Sequence, residues 1–110
     1  MIAGHPNPVM SGLKQTVLME STGIPLGIIG DFEYEMRTYD VPHETTILFF
    51  TDGLSEARYQ GGFVGAAGVQ EVLNHPEIRT GDLNAALQRL VASPNLTIED
   101  DITVLALRIR

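Results

Sequence analysis

Hydrophobic and polar positions change period several times along this chain. Residues 45–51 form a run that is apolar on both faces, the pattern of a strand lying inside a layered structure. Residues 102–109 form a second such run. Phe32-Glu33-Tyr34-Glu35-Met36 alternates strictly and predicts a strand with one wet face. Residues 13–19 read as a further strand, and 23–30 as a glycine-punctuated extended segment. Residues 1–4 read as the end of a strand that would begin upstream, and 5–8, with Pro6 and Pro8, as a turn. Residues 54–58 predict a short helix or turn, broken at Gly61-Gly62. Residues 64–74, apolar at Val69, Val72 and Leu73, suit a helix despite Gly65 and Gly68. Asp82 is a good N-cap for the strongest helical stripe, Leu83, Ala86, Leu87, Leu90 and Val91. Ser93-Pro94-Asn95 stops that helix. Strands, then two helices, then a strand make an α+β fold in which helices cover a mainly antiparallel sheet. At 110 residues, with no repeat and no linker, the chain reads as one domain.

Composition narrows the function classes. Seven Lys and Arg against fourteen Asp and Glu give a formal net charge of −7. That is the wrong sign for non-specific nucleic-acid binding and disfavours an anionic membrane surface, although negative charge also simply aids solubility. With no cysteine, disulfides and thiolate zinc sites are excluded. The first residues have neither a charged leader nor an apolar stretch of signal-peptide length. No apolar run is long enough to span a bilayer. The expectation is a cytoplasmic protein without membrane insertion.

Two acidic corners carry the candidate chemistry. Thr51-Asp52-Gly53 ends the apolar run Ile47-Leu48-Phe49-Phe50, and Asp100-Asp101-Ile102-Thr103 opens the last one. Each sets a carboxylate where a strand meets a turn, held by a sheet yet open to solvent. Oxygen ligands in such a place can bind a hard cation such as Mg²⁺ or Mn²⁺. Singly, the same residues have an ordinary reading, because Asp-Gly is a common turn and Asp-Asp a common solvated pair.

The corners belong to a longer ordered series: Ala3-Gly4-His5-Pro6-Asn7-Pro8, Gly23-Ile24-Pro25-Leu26-Gly27-Ile28, Phe49-Phe50-Thr51-Asp52-Gly53-Leu54-Ser55-Glu56-Ala57-Arg58, the looser Phe63-Val64-Gly65, and Asp100-Asp101-Ile102-Thr103-Val104-Leu105. In order and spacing this series resembles the C-terminal part of the metal-dependent protein serine/threonine phosphatases of the protein phosphatase 2C-like superfamily, closest to the stage II sporulation E (SpoIIE) branch. The resemblance implies two stacked antiparallel sheets with helices outside, the αββα sandwich. It implies Asp52 and Asp100 as ligands of a two-metal Mn²⁺ or Mg²⁺ centre, with Asp101 beside the ligands and Gly53 letting the chain turn sharply beneath the metals. His5 is read as structural.

One departure accompanies these matches. The family's domain begins upstream with a Gly-Asp motif whose aspartate bridges both metals. Aligned on the resemblance, Gly30-Asp31 and Gly81-Asp82 do not take its place, since they fall in a hairpin and before a helix. Residues 1–110 are therefore expected to be the C-terminal part of a SpoIIE-like phosphatase domain, with the Gly-Asp part absent and the chain inactive alone. The resemblance implies dephosphorylation of phosphoserine or phosphothreonine on a partner regulatory protein, such as an anti-anti-sigma factor in a sigma-factor switch. The competing reading is a non-catalytic interaction module that keeps the scaffold. Open sheet edges would further invite a homodimer.

Other constellations compete poorly. His5, His43 and His75 each sit beside a proline and show no metal-site spacing. There is no Gly-x-Ser-x-Gly elbow, and Ser55 is read as a helix cap. No phosphate-cradling Gly-x-x-x-x-Gly-Lys loop exists. Glu33 and Glu35 share one strand face and read as solvated. Glu56 is read as solvated surface, although it could reach a metal through water. Arg58 could meet a phosphate, because a guanidinium binds one in a bidentate way. Its plainer reading is a surface ion pair with Glu56 or Glu71.

Overall fold

The computed structural model describes residues 1–12, 16–20, 22–76 and 82–110, with Leu83 and Ala86 described by backbone alone. Its longest ladder joins β3 (Thr45–Phe50) to β7 (Val104–Ile109), antiparallel, from Thr45 opposite Ile109 to Phe50 opposite Val104. On the other side of that strand lies β1 (Val9–Ser11), which also pairs with β2 (Thr16–Leu18). The resulting sheet has the order β2-β1-β3-β7. A smaller antiparallel sheet contains β4 (Arg58–Tyr59), β5 (Gly62–Phe63) and β6 (Leu96–Thr97), with β4 in the middle. Gln60 and Gly61 link β4 to β5 with φ of 49° and 84°. Two successive positive φ values make the type I′ turn whose twist matches a hairpin. The helices are α1 (Asp52–Ser55), α2 (Gly65–Asn74) and α3 (Leu83–Val91).

The core forms where α2 crosses the larger sheet. Val9, Leu48, Phe50, Leu54, Val69 and Leu73 are buried together, and Leu18, Leu90, Ile102, Val104 and Ala106 pack against them. Side chains alternate along a strand and directly opposed residues share a face. Val9, Leu48 and Ala106 are opposed in turn and make the helix-covered face. Met10, Ile47 and Leu107 are likewise opposed and make the other face.

The two doubly apolar runs have different fates. Residues 45–50 lie centrally and are buried except for the half-buried Phe49, as their pattern predicts. Residues 104–109 form the edge strand β7, and Leu105 and Leu107 stay 64% and 48% exposed. The reason is layering, because helices cover one face of the sheet among the described residues. The chain is 19 Å across its thinnest dimension, room for a sheet and one helix layer at about 10 Å spacing. Its 7304 Å² of accessible surface exceeds the roughly 6,000 Å² expected for a monomer of 12.0 kDa.

Several local expectations are corrected. Residues 32–36 form no strand. Their alternation still puts Phe32 and Tyr34 on one side, packed edge to face at 4.8 Å, but an extended segment becomes a strand only with a ladder partner. Glu35 does not stand free, since Arg37 Nε donates to it at 3.0 Å. Residues 1–4 make a single parallel bridge, Ala3 to Gly23, instead of a strand end. Val9–Ser11, hidden behind two prolines, is a strand. Of the strand expected over 13–19, Thr16–Leu18 forms, and 13–15 lie outside the described residues, as does Gly81. The helix over 64–74 is present as α2. The Asp82 cap is present too: its carboxylate accepts from the N–H of Asn84 and of Ala85 at 3.0 and 3.2 Å.

Candidate metal centre

The acidic corners lie in two connections that run side by side. Residues 51–57 pass from β3 to β4, and residues 98–103 pass from β6 to β7. Because β3 pairs with β7 and β4 pairs with β6, both ends of each connection are fixed next to the ends of the other. Two ladders thus bring together residues distant in sequence at the seam between the sheets.

Threonine side and main chains lock the seam. The Thr51 N–H donates to the Thr103 carbonyl at 3.0 Å, and the Thr103 N–H donates to Thr51 Oγ1 at 3.0 Å. The Thr51 hydroxyl in turn lies 3.4 Å from the Asp101 carbonyl oxygen, which accepts from it. Gly53 closes the contact. A Cβ placed there would lie 2.2 Å from the Asp101 carbonyl oxygen and 3.4 Å from that of Asp100. Gly53 is not among the residues with positive φ. Its glycine is required by the close approach of the other connection, and not by the sharp turn that the resemblance implies.

Asp52 opens α1 with its side chain exposed. Its carbonyl accepts from the Glu56 N–H at 2.7 Å and from the Ser55 hydroxyl at 3.2 Å, so Ser55 closes the short helix. The Asp100 carboxylate accepts the Asp101 N–H through Oδ1 at 2.7 Å, which fixes its rotation. Asp101 is exposed beside it. The corner donors are all oxygens, the type that suits Mg²⁺ or Mn²⁺. Among the described residues no three His, Cys, Asp or Glu side chains gather closely enough to hold an ion by themselves. His5 and His43 bind main-chain carbonyls of Pro6 and Arg110 through Nδ1, each at 2.9 Å.

A groove beside the corners is walled by Gly53, Glu56, Arg58, Phe63, Glu99 and Asp100, among others. Arg58 pairs with Glu99 at 3.5 Å, and not with Glu56 or Glu71. The ladder explains the choice, since Arg58 stands opposite Thr97 and Glu99 is two positions further along, the diagonal neighbour on that side. The roles of Thr51 and Glu99 come from the fold. Their one signal in the sequence is position, since each stands one residue before an acidic corner.

The family model described as Stage II sporulation protein E (SpoIIE) matches residues 1–110. The chain belongs to the SpoIIE family. It is similar to the phosphoserine phosphatase RsbU of Bacillus subtilis (strain 168), at 24% identity over 110 residues, covering 96% of this chain and 33% of RsbU. This SpoIIE-family chain thus spans about a third of that relative's length. Among solved structures it resembles the PP2C phosphatase domain, with a fragment of the regulatory domain, of the cell fate determinant SpoIIE from Bacillus subtilis. That match has a TM-score of 0.74 at 19% identity over 96% of this chain and 32% of that one. It also resembles the SiaA-PP2C domain of Pseudomonas aeruginosa, with a TM-score of 0.68 at 18% identity over 98% of this chain and 44% of that one. The α+β fold of antiparallel sheets and helices is therefore that of PP2C phosphatase domains. No helix among the described residues is long and apolar enough to cross a membrane.

Proposed function

We propose that residues 1–110 supply the C-terminal part of a metal-dependent phosphatase centre that removes phosphate from phosphoserine or phosphothreonine on a partner regulatory protein. The observation that carries this reading is the seam, where Asp52 and Asp100 sit on adjacent connections tied by Thr51, Thr103 and Gly53. Family membership and the name of RsbU, a phosphoserine phosphatase, support it.

In this reading Asp52 and Asp100 hold Mn²⁺ or Mg²⁺ at the rim. Bound divalent ions supply a nucleophile at neutral pH and neutralise charge on the phosphoryl oxygens. The chain itself contributes placement. Gly53 lets the two connections touch, Thr51 fixes their relative height, and the Asp101 N–H holds the Asp100 carboxylate in one rotamer. Asp101 stays beside the ligands. Water adds to phosphorus, the bond from phosphorus to the seryl oxygen breaks, and the leaving oxygen takes a proton. A partner such as an anti-anti-sigma factor fits a phosphatase of this family, and the cytoplasm is the compartment that such a substrate requires.

Two carboxylates leave most of the six or more oxygen positions of a divalent ion to other donors. The isolated chain is accordingly inactive in this reading, and a further acidic ligand comes from other residues of the same protein or from a partner. Among the described residues no three His, Cys, Asp or Glu side chains gather closely enough to hold an ion by themselves, so one second reading stands beside the enzyme, a non-catalytic module that retains the scaffold. The deciding experiment assays the full-length protein for Mn²⁺-dependent phosphate release from a phosphoserine protein, with Asp52→Asn and Asp100→Asn beside it. Activity lost in both variants while their unfolding curves stay close to the parent supports the enzyme. A folded, Mn²⁺-supplied parent without turnover on any phosphoprotein supports the module.

A further inference from the structure

Among the described residues that wall the groove, Arg58 is the one cation, in the company of Glu56, Glu99 and Asp100. It sits on β4, the central strand of the small sheet, hydrogen-bonded on both sides. Its guanidinium lies 5.3 Å from the centroid of the Phe63 ring, and Phe63 is its direct cross-strand partner. Only Nε is engaged by a carboxylate, Glu99 at 3.5 Å. The four N–H groups of its two terminal nitrogens have no partner among the described residues, and the side chain is 56% exposed. This is a guanidinium stacked and tethered at one corner, with its outward fork unused. Such a fork matches two oxygens of a phosphoryl group, while carboxylates elsewhere in the groove repel anions.

We propose that Arg58 is the residue that receives the phosphoryl group of the phosphoserine substrate, poised by Phe63 and Glu99 beside the acidic corner. The proposal rests on the phosphatase reading above and assigns the substrate contact that the metal corner leaves open. Glu99 has a double effect: it orients Arg58 and screens its charge, so that the groove attracts a dianion only once cations occupy the corner.

The test uses the full-length protein with saturating Mn²⁺. Steady-state kinetics with a phosphoserine peptide and calorimetry with inorganic phosphate are run on the parent, Arg58→Ala, Arg58→Lys and Glu99→Gln. Arg58→Ala should raise KM and weaken phosphate binding by about tenfold or more, the size of one charge-assisted hydrogen bond, with Mn²⁺ affinity unchanged. Arg58→Lys should recover only part of this, because an ammonium is not a fork. Glu99→Gln should keep phosphate affinity or improve it. Unchanged phosphate binding in Arg58→Ala would overturn the proposal. So would a Glu99→Gln defect as large as that of Arg58→Ala, which would make Arg58 a mere tie on the Asp100 connection. A matching peptide with aspartate in place of phosphoserine that binds equally well would also overturn it. If the parent turns over neither this peptide nor a phosphoserine protein, the phosphatase reading fails by itself, and phosphate calorimetry still decides the role of Arg58.

Discussion

Replacing Gly53 by alanine is the sharpest probe of the seam. The new Cβ would stand 2.2 Å from the Asp101 carbonyl oxygen and 3.0 Å from its carbon. Ordinary non-bonded contact begins near about 3.5 Å, so the two connections must part by roughly 1 Å. Backbone strain is not the cause, since Gly53 has no positive φ. Forced overpacking of this kind costs about 1–3 kcal/mol. The same displacement loosens the two Thr51–Thr103 bonds, both at 3.0 Å, each worth about 1 kcal/mol net. The expected loss is therefore about 2–4 kcal/mol. At about 4 °C or more per kcal/mol for a domain near this size, the melting temperature should fall by roughly 10 °C or more. Urea unfolding followed by circular dichroism measures the loss. Gly62→Ala is the control, because a Cβ there meets nothing within 4 Å, and it should change stability by less than about 1 kcal/mol. A Gly53→Ala protein as stable as the Gly62→Ala protein would refute the account of a glycine kept for close approach.

Other outcomes follow from single observations. Thr45 is fully buried and its hydroxyl has no partner among the described residues, so Thr45→Val should raise stability by about 1 kcal/mol, read from the urea midpoint. Asp82→Ala removes a cap that holds two N–H groups of α3 and should cost about 1 kcal/mol in the same assay. Calorimetry of the 110-residue chain with Mn²⁺ should show affinity no tighter than roughly millimolar. A stoichiometric micromolar site lost in Asp52→Asn would reveal a third ligand. The exposed Leu105 and Leu107 on edge strand β7 favour self-association of the chain, so light scattering should find a dimer that Leu107→Lys weakens. A monodisperse monomer at high micromolar concentration would contradict that.

The sequence by itself determined the features written in short-range chemistry. The run of residues 45–50, apolar on both faces, marked a buried strand, Asp82 announced α3, and the ordered acidic and glycine motifs announced the family. It also marked Asp52 and Asp100 as the residues to watch, since carboxylates at strand ends are visible as such. Tertiary structure alone decided what depends on partners. Residues 32–36 and 104–109 carry strand patterns of similar quality, yet only the second has a ladder to join, and even that one ends at an edge with leucines in solvent. The reason is that periodicity fixes which side chains share a face, not whether anything covers that face. The same holds at the seam: nothing local in Thr51-Asp52-Gly53 says that Asp101 will lie against the glycine, or that Arg58 will find Glu99. Those contacts exist because two separate ladders clamp the ends of two connections, and that clamp is a property of pairing between residues remote in sequence.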